Sequence, residues 1–366
     1  MPRLTDPIDL GSIHAKSRIL MAPLTRGRAT REAVPTPVMV DYYRQRASAG
    51  LIITEATGIS RIGLGWPGAP GIWNQAQVGG WKHVTKAVHA AGGKIVSQLW
   101  HMGRLGSHEV NGGQPVSSSA TTAPGRTRTW SGGTAPYPQA RALELSELPG
   151  LLDDYARAAE NALEAGFDGI QLHAANGYLI DQFLRDNSNF RTDEYGGPIE
   201  HRIRLLGGVV ERLVATVGKD KVGVRLSPNG EVQGVNDSDP HALFGAAARL
   251  LDEKGAAWLE LREPRPSGTR GVPDVAPVHP VIRKAFSRPL ILNADYHRDD
   301  AQAALDAGEA DAITFGRPFL TNPDLPRRLI EELPLNPQRE ELFYTGGADG
   351  YVDYPTWDEV HVAQPA

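Results

Sequence analysis

Cysteine is absent from this sequence of 366 residues. Disulfides, thiol nucleophiles, iron–sulfur clusters and cysteine-based zinc sites are therefore excluded, because each needs a cysteine sulfur. Any redox chemistry must come from a bound organic cofactor. A run of about 18 apolar residues is also missing, so we expect no membrane-spanning segment.

Excess positive charge and an apolar leader are lacking as well. The formal net charge is −5 and no basic stripe occurs, which argues against nucleic acid as a partner. The first six residues do not form the apolar core of a signal peptide, so we expect a cytoplasmic protein. With 40% hydrophobic and 22% charged residues, the composition is that of an ordinary globular protein.

Short apolar runs alternate with longer amphipathic stretches along the chain. The short runs are mostly continuous Val, Ile and Leu, as buried parallel strands require. They predict eight strands, at Ser17–Ala22, Leu51–Ala56, Lys94–Trp100, Gly169–His173, Val222–Ser227, Ala257–Arg262, Pro289–Ala294 and Ala312–Gly316. The amphipathic stretches predict helices at Thr36–Ala47, Gln75–Ala91, Glu147–Ala165, Ile199–Val217, Pro240–Lys254, Arg298–Ala307 and Asp324–Glu332.

Eight strand-then-helix units predict an α/β protein, a (β/α)₈ TIM barrel formed as a single domain over residues 1–366. An open doubly wound sheet is the alternative, but it leaves strand edges that a closed barrel does not have. Residues 104–141, after the third strand, are rich in Gly, Ser, Thr and Pro and have no helical period. We expect them to cap the C-terminal mouth of the barrel, the alternative being a surface insertion without a role.

His173, Asn176 and Tyr178 follow the fourth predicted strand and form the most informative group. They converge only if the chain turns there, and Gly177 supplies that freedom. Two N–H donors aimed at one point would polarise a carbonyl oxygen, and a neighbouring phenol could act as a general acid. The alternative is a histidine that bonds backbone groups at a helix start, with Tyr178 packed beneath it.

Other strand ends carry hydrogen-bond donors rather than paired carboxylates, which suits an anionic, electron-accepting ligand. Gly316 and Arg317 end the eighth strand, where barrels of this kind commonly bind phosphate. Arg317 would pair a phosphate in bidentate fashion, although a surface ion pair is the alternative. The string Gly63–Gly68 matches G-x-G-x-x-G, but it contains Pro67 and opens no helix, so we reject a dinucleotide fingerprint.

Several strings in chain order resemble the Old Yellow Enzyme family. They run from about residue 3 to about residue 357 and are Met21–Arg26, Tyr42–Ala47, Leu51–Ala56, Gln98–His101, His173–Leu179, Arg191–Gly197, Phe315–Pro318, Tyr344 and Gly350–Pro355. The resemblance is to the bacterial reductases of N-ethylmaleimide and nitrate esters in particular. It implies a barrel with FMN at its mouth.

The resemblance also implies the residues that bind FMN. The positions that match the family's cofactor site are Pro23, Leu24, Thr25, Ala56, Gln98, Arg225, Asn293, Ala294, Asp295, Gly316 and Arg317. Among these, Gln98 and Arg225 would bind the pyrimidine end of the ring, and the last five would hold the phosphate. A cation at Arg225 would favour the reduced flavin.

His173 and Asn176 correspond to the family's substrate-oxygen donors, and Tyr178 corresponds to its proton donor. Trp66, Trp100 and Tyr344 would wall the substrate pocket. Trp66 stands where relatives often have tyrosine, residues 128–137 differ from them, and Arg262 at the end of the sixth strand has no counterpart that explains it.

The implied function is reduction of activated C=C bonds of α,β-unsaturated carbonyl compounds by ping-pong hydride transfer. NADPH or NADH would be the electron donor, and maleimides, nitroalkenes and nitrate esters are further substrates to test. A barrel lyase without flavin and a non-catalytic flavin-binding protein are the alternatives. We expect small-molecule partners only, with no nucleic acid and no membrane, and a monomer or homodimer.

Overall fold

Eight parallel strands close into a barrel in the computed structural model, which describes residues 1–266, 268, 271–344 and 346–361. Counted from the N-terminus, the barrel strands are Ile19–Met21, Ile52–Gly58, Ile95–Trp100, Gly169–His173, Val222–Leu226, Trp258–Arg262, Leu290–Asn293 and Ala312–Phe315. Each strand pairs with the next along the chain, and the eighth pairs with the first. The predicted (β/α)₈ barrel is confirmed, and all eight strands lie where their apolar runs predicted them.

Helices follow the strands and cover the outside of the barrel. Their bounds are Pro37–Gln45, Gln75–Ala90, His108–Asn111, Leu148–Glu164, Leu179–Leu184, Ile199–Arg202, Arg204–Val217, Pro240–Glu253, His279–Ala285, Arg298–Asp306, Arg317–Thr321, Leu325–Ile330 and Trp357–His361, with 3₁₀ turns at Gly103–Leu105, Leu145–Glu147, Lys219–Lys221 and Glu340–Leu342. The seven predicted helices are all present, although the one expected over Ile199–Val217 is two helices. They meet at Ile203, whose ψ of −8° interrupts the regular α geometry.

A β-hairpin that the sequence pattern did not predict lies at the N-terminus. Its strands, Ile8–Leu10 and Ile13–Ala15, pair in antiparallel fashion around Gly11, whose φ is +64°. The buried hairpin side chains pack against residues from the N-terminal ends of the barrel strands, such as Leu51 and Trp258. The hairpin therefore closes the end of the barrel opposite the mouth.

The insertion at residues 104–141 has little regular structure of its own. A short parallel pair joins Val116–Ser117 to Arg141–Ala142, and an antiparallel hairpin pairs Arg126–Arg128 with Thr134–Pro136. The hairpin contacts the loop after the second barrel strand, because the Thr127 hydroxyl donates to the Gly65 carbonyl at 3.4 Å. This loop holds the rejected glycine string, and no helix begins there.

No helix within the described ranges has both the length and the apolar composition needed to cross a lipid bilayer.

Candidate active site

A cavity of about 620 Å³ opens at the C-terminal ends of the barrel strands. This is the end at which TIM-barrel proteins carry their active sites, and the volume lies within the usual range for small-molecule sites. The predicted residues that line it are Pro23, Leu24, Thr25, Asn176, Arg225, Asn293, Ala294, Asp295, Gly316, Arg317 and Tyr344. Six distant segments of the sequence thus meet at one place.

The other predicted site residues do not line this cavity; they are Ala56, Trp66, Gln98, Trp100, His173 and Tyr178. Four of them, Ala56, Trp66, Trp100 and Tyr178, pack in one apolar cluster. His173 is the direct neighbour of Arg225 across the fourth and fifth strands. The Trp66 ring lies 5.3 Å from that of Tyr344. The predicted group therefore forms one continuous region at the mouth.

Glu55 holds the loop that carries Pro23, Leu24 and Thr25. Its carboxylate is buried and accepts from the backbone N–H of Arg26 at 3.0 Å and from the Tyr43 hydroxyl at 3.2 Å. Burial raises the pKa of Glu55, while these donors act in the opposite direction. The hydrogen bonds fix the backbone directly after Thr25, so this side chain keeps its place at the cavity wall.

His173 lies at the end of the fourth barrel strand and is buried. Burial, and after it the positive charge of Arg225, hold the pKa of His173 well below its ordinary value, so the imidazole is neutral. Its Nδ1 atom faces the backbone N–H of Ala175 at 3.4 Å and accepts from it. The ring proton therefore lies on Nε2, which makes this nitrogen a hydrogen-bond donor.

The turn after His173 brings Asn176 to the cavity. Asn176 itself has a φ of +57° and Gly177 follows at +77°, so the turn uses two left-handed residues, not only the glycine that the sequence indicated. The Ser227 hydroxyl accepts from the Asn176 N–H at 2.7 Å, and the Asp181 carboxylate accepts from the Gly177 N–H at 2.9 Å. These bonds hold an unfavourable backbone conformation at a predicted site residue.

Tyr178 packs edge-on against two other rings of the site. Its centroid lies 4.9 Å from that of His173 and 5.0 Å from that of Trp100, with interplanar angles of 82° and 89°. Burial raises the pKa of Tyr178, so the phenol keeps its proton at neutral pH. A partly buried, protonated phenol beside a neutral imidazole donor can deliver a proton.

Gln233 interacts with both Asn176 and Tyr178, and the sequence analysis did not identify it. Its Nε2 donates to the Asn176 carbonyl at 2.8 Å. Its side chain also lies close enough to the Tyr178 phenol to act against the rise in the pKa of that group. Gln233 has a φ of +54°, and the Arg104 guanidinium bonds the carbonyls of residues 233 and 234 at 3.2 and 2.9 Å. Arg104 lies at the start of the insertion, which thus helps to position the site.

A chain of buried polar side chains crosses the barrel beneath the cavity. Gln98 Nε2 donates to Gln171 Oε1 at 2.7 Å, and Gln171 Nε2 donates to Glu260 Oε2 at 2.8 Å. The other oxygen of Glu260 accepts from the Thr314 hydroxyl at 2.7 Å and lies 3.2 Å from Nη1 of Arg225. The first bond uses the amide nitrogen of Gln98, which leaves its Oε1 as an acceptor.

Gln171 and Glu260 were also missed by sequence reasoning, although a signal was present. Both are polar residues in the middle of strands that are otherwise buried and apolar. Buried polar groups need partners, so such positions point inward to a polar network.

Arg225 fits the pyrimidine end of a flavin. Its Nη2 donates to Asn293 Oδ1 at 2.8 Å, but its buried Nε–H has no hydrogen-bond partner among the described residues. A buried donor without a partner is expensive, so an acceptor atom on a bound molecule is expected beside it. Carbonyl oxygens and imine nitrogens at the edge of the flavin ring are such acceptors.

The loops after the seventh and eighth strands also line the cavity. Ala294 and Asp295 have φ values of +141° and +50°, which are unusual for residues other than glycine. A Cβ atom at Gly316 would meet nothing closer than the Leu24 side chain at 3.7 Å, so the cavity is open there. Arg317 forms an ion pair with Asp295.

Arg262, unexplained by the sequence, also lines the cavity. It is the neighbour of Asn293 across the sixth and seventh strands. Burial, and then the charge of Arg225, lower the pKa of Arg262, and Asp295 acts in the opposite direction. Four arginines, at positions 26, 225, 262 and 317, therefore line one cavity and make it suited to an anionic ligand.

Two buried arginines hold the C-terminal segment that carries Tyr344. Arg26 donates through Nε to the Phe343 carbonyl at 2.8 Å, and Arg28 donates to the same carbonyl at 2.9 Å. Arg26 also bonds the Gly350 carbonyl at 2.7 Å. Because both arginines follow the first barrel strand, they bind the end of the chain back to the mouth and place Tyr344 over the cavity.

Comparisons with known proteins agree with this geometry. The sequence model of the NADH:flavin oxidoreductase / NADH oxidase family matches residues 3–336. The chain is 40% identical over 365 residues to 12-oxophytodienoate reductase 1 of Oryza sativa subsp. japonica, covering 98% of this chain and 94% of that protein.

Two solved structures show the same architecture. An old yellow enzyme homologue from Zymomonas mobilis is 59% identical, with a TM-score of 0.95, and the match covers 97% of this chain and 99% of that one. Morphinone reductase in complex with tetrahydroNAD is 44% identical, with a TM-score of 0.92 and coverage of 99% of both chains.

Proposed function

The chain belongs to the NADH:flavin oxidoreductase / NADH oxidase family, the Old Yellow Enzyme family, and from this membership we propose that it reduces activated C=C bonds of α,β-unsaturated carbonyl compounds. Its members are FMN-dependent oxidoreductases, which argues against a flavin-free lyase and against a non-catalytic flavin carrier. A reduced nicotinamide dinucleotide, NADPH or NADH, is the proposed electron donor, in keeping with the tetrahydroNAD complex of morphinone reductase.

The observation that carries the proposal is the arrangement of His173, Asn176 and Tyr178. The neutral His173 offers Nε2–H as a donor, and the Asn176 side chain lies at the cavity wall. We expect both to donate to the substrate's carbonyl oxygen, which withdraws electrons from the β-carbon. Stabilisation of the developing enolate by one such donor is typically worth about 10²-fold in rate.

The residues present fit FMN. Arg225 and Gln98 would hold the pyrimidine edge, the loop at Pro23, Leu24 and Thr25 would lie along the ring, and the loops at Asn293–Asp295 and Gly316–Arg317 would hold the phosphate. Bound FMN would supply the hydride-transfer chemistry that links the reduced nicotinamide to the β-carbon of the substrate. The guanidinium of Arg225 would favour the electron-rich form of the ring.

Tyr178 completes the proposed reaction by giving its proton to the α-carbon. The raised pKa of the phenol keeps that proton available at neutral pH, and Gln233 orients the hydroxyl. Because donor and acceptor would use one site in turn, we expect ping-pong kinetics. Maleimides, nitroalkenes and nitrate esters also present oxygens that His173 and Asn176 could bind.

We further propose that the insertion at residues 104–141 caps this site. Its hairpin reaches the aromatic residues of the mouth, and Arg104 fixes the loop that carries Gln233. Trp66, Trp100 and Tyr344 would then shape the substrate pocket beneath the hairpin.

The test separates the two half-reactions under anaerobic conditions in Tyr178→Phe. Phenylalanine keeps the edge-on ring contacts with His173 and Trp100, so we expect flavin reduction by NADPH to change by less than about twofold. Reoxidation by cyclohexenone should slow by about 10²-fold or more, because the proton donor is lost.

Two controls complete this test. Tyr137→Phe removes another partly buried phenol near the mouth and should leave both half-reactions unchanged. Ferricyanide needs no proton at carbon and should reoxidise Tyr178→Phe as fast as the wild type. Equal slowing of both half-reactions in Tyr178→Phe would refute the role assigned to Tyr178.

A further inference from the structure

The capping hairpin places an arginine at the outer edge of the cavity. The guanidinium carbon of Arg128 lies 4.8 Å from the centroid of the Tyr344 ring and 5.7 Å from that of Trp66. Tyr344 lines the cavity, and its ring and that of Trp66 are 5.3 Å apart. Arg128 therefore contacts the ring of a residue that lines the cavity without lining the cavity itself. We expect a long bound molecule to leave the mouth past this arginine.

The charge of Arg128 is not neutralised within the part of the chain that the structure describes. Among the described residues, no carboxylate forms an ion pair with the Arg128 guanidinium and no group accepts a hydrogen bond from it. The contacts that the guanidinium makes are those with the rings of Trp66 and Tyr344. Glu109, which reaches the same hairpin, accepts from the backbone N–H of Trp130 at 3.0 Å. A guanidinium stacked on aromatic rings keeps its N–H groups available in its own plane, and these donors match two oxygens of a phosphate.

A second arginine, from the loop after the first barrel strand, packs on the same hairpin. The guanidinium carbon of Arg31 is 5.5 Å from the ring centroid of Trp130, at the turn of the hairpin. The chain as a whole carries a net charge of −5, which disfavours the approach of an anion. The guanidinium groups of Arg31 and Arg128 give the mouth a local positive charge, which attracts an anion to this place.

We propose that Arg128 binds the pyrophosphate of the reduced nicotinamide dinucleotide. This inference rests on the proposed function: the nicotinamide ring occupies the cavity, and the remainder of the dinucleotide passes Tyr344 to the outside. The pyrophosphate is the first strongly anionic group beyond the ribose, and Arg128 is the stacked arginine at that exit. Neutral enones carry no such group and do not depend on Arg128.

The test is Arg128→Gln, measured in the anaerobic reductive half-reaction of the FMN-loaded protein. We expect the Kd for NADPH or NADH to rise about tenfold, equivalent to about 1.4 kcal/mol, with the limiting rate of flavin reduction unchanged. The Kd for 1-benzyl-1,4-dihydronicotinamide, which has no phosphate, should stay the same. Calorimetric titration with tetrahydroNAD should show the same weakening without turnover.

Arg126→Gln is the matched control. Arg126 lies on the same hairpin strand, but its guanidinium bonds the side chain and carbonyl of Thr134 across the hairpin. The variant removes the same charge and should leave the dinucleotide Kd unchanged. A similar rise in the dinucleotide Kd in both variants would overturn the proposal, because it would reflect the change in net charge or in hairpin stability.

Different results would contradict the role of Arg128 and the proposed function. If the benzyl compound and NADPH both reduce the wild-type flavin, but Arg128→Gln binds the dinucleotide as tightly as the wild type does, only the role of Arg128 is wrong. An equal rise in the Kd for the benzyl compound in Arg128→Gln would also overturn that role. If no dihydronicotinamide reduces the wild-type flavin, the proposed function itself fails.

Discussion

Glu260 provides the sharpest test of the buried polar chain beneath the cavity. Its side chain is fully buried in the sixth barrel strand and contacts Arg225, Gln171 and Thr314. Glu260→Gln keeps the shape and removes the charge. The new amide group must also face a donor from Gln171 or Thr314, because both of these residues donate to Glu260.

The expected loss follows from the distances. At an effective dielectric constant of about 20, opposite charges 3.2 Å apart attract by about 5 kcal/mol. Removing one partner of a buried ion pair typically destabilises a protein by about 3–5 kcal/mol, because the other charge stays buried. We therefore expect the free energy of unfolding of the FMN-free protein to fall by about 3 kcal/mol.

Urea unfolding followed by far-UV circular dichroism measures this change. Glu211→Gln is the matched control, since Glu211 forms a 2.7 Å ion pair with Lys254 at the surface and should lose less than about 1 kcal/mol. In a double-mutant cycle, Arg225→Met combined with Glu260→Gln should restore part of the loss. A decrease below about 1 kcal/mol for Glu260→Gln, or strict additivity in the cycle, would refute the reasoning.

Three further predictions concern the catalytic group. His173→Ala should weaken the binding of phenols, which mimic the enolate, by about tenfold in a flavin absorbance titration, and unchanged affinity would contradict the donor role. Gln233→Leu should slow reoxidation by enones about tenfold and leave flavin reduction unchanged, whereas a loss in both steps would indicate a general structural defect. Burial lowers the pKa of His173 and raises that of Tyr178, so neither group changes charge between about pH 6 and 9. The rate of enone reduction should be flat over that range, and an inflection near the ordinary histidine pKa of about 6.5 would show that His173 titrates.

The barrel could be predicted because each buried strand is a continuous apolar run. Gly169–His173 agrees at both ends, and the other strands agree within one or two residues. The helix at His279–Ala285 could not be predicted, because the residue that binds its first N–H groups is Glu263, which accepts from Val278 and His279. Glu263 lies 15 residues before Val278, at the end of a strand, so no local pattern reveals it.

Sequence reasoning could identify candidate site residues where a polar residue ends an apolar strand, as at His173 and Arg225. Resemblance to a known family added the remaining positions, and the structure brings them together at one mouth. Gln233 was not predictable, because its role depends on a left-handed turn and on Arg104, which is 129 residues away in sequence. The position of Arg128 was not predictable either, because it depends on contacts of the insertion with Trp66 in the loop after the second strand and with Tyr344 in the C-terminal segment.

The most direct test of the central claim is an anaerobic titration of the protein purified with ample riboflavin supply. We expect a yellow protein whose flavin absorbance is bleached by NADPH and returns on addition of cyclohexenone. One equivalent of cyclohexanone should form for each flavin that is reoxidised. A colourless protein that does not take up FMN, or a bleached flavin that the enone leaves reduced, would contradict it.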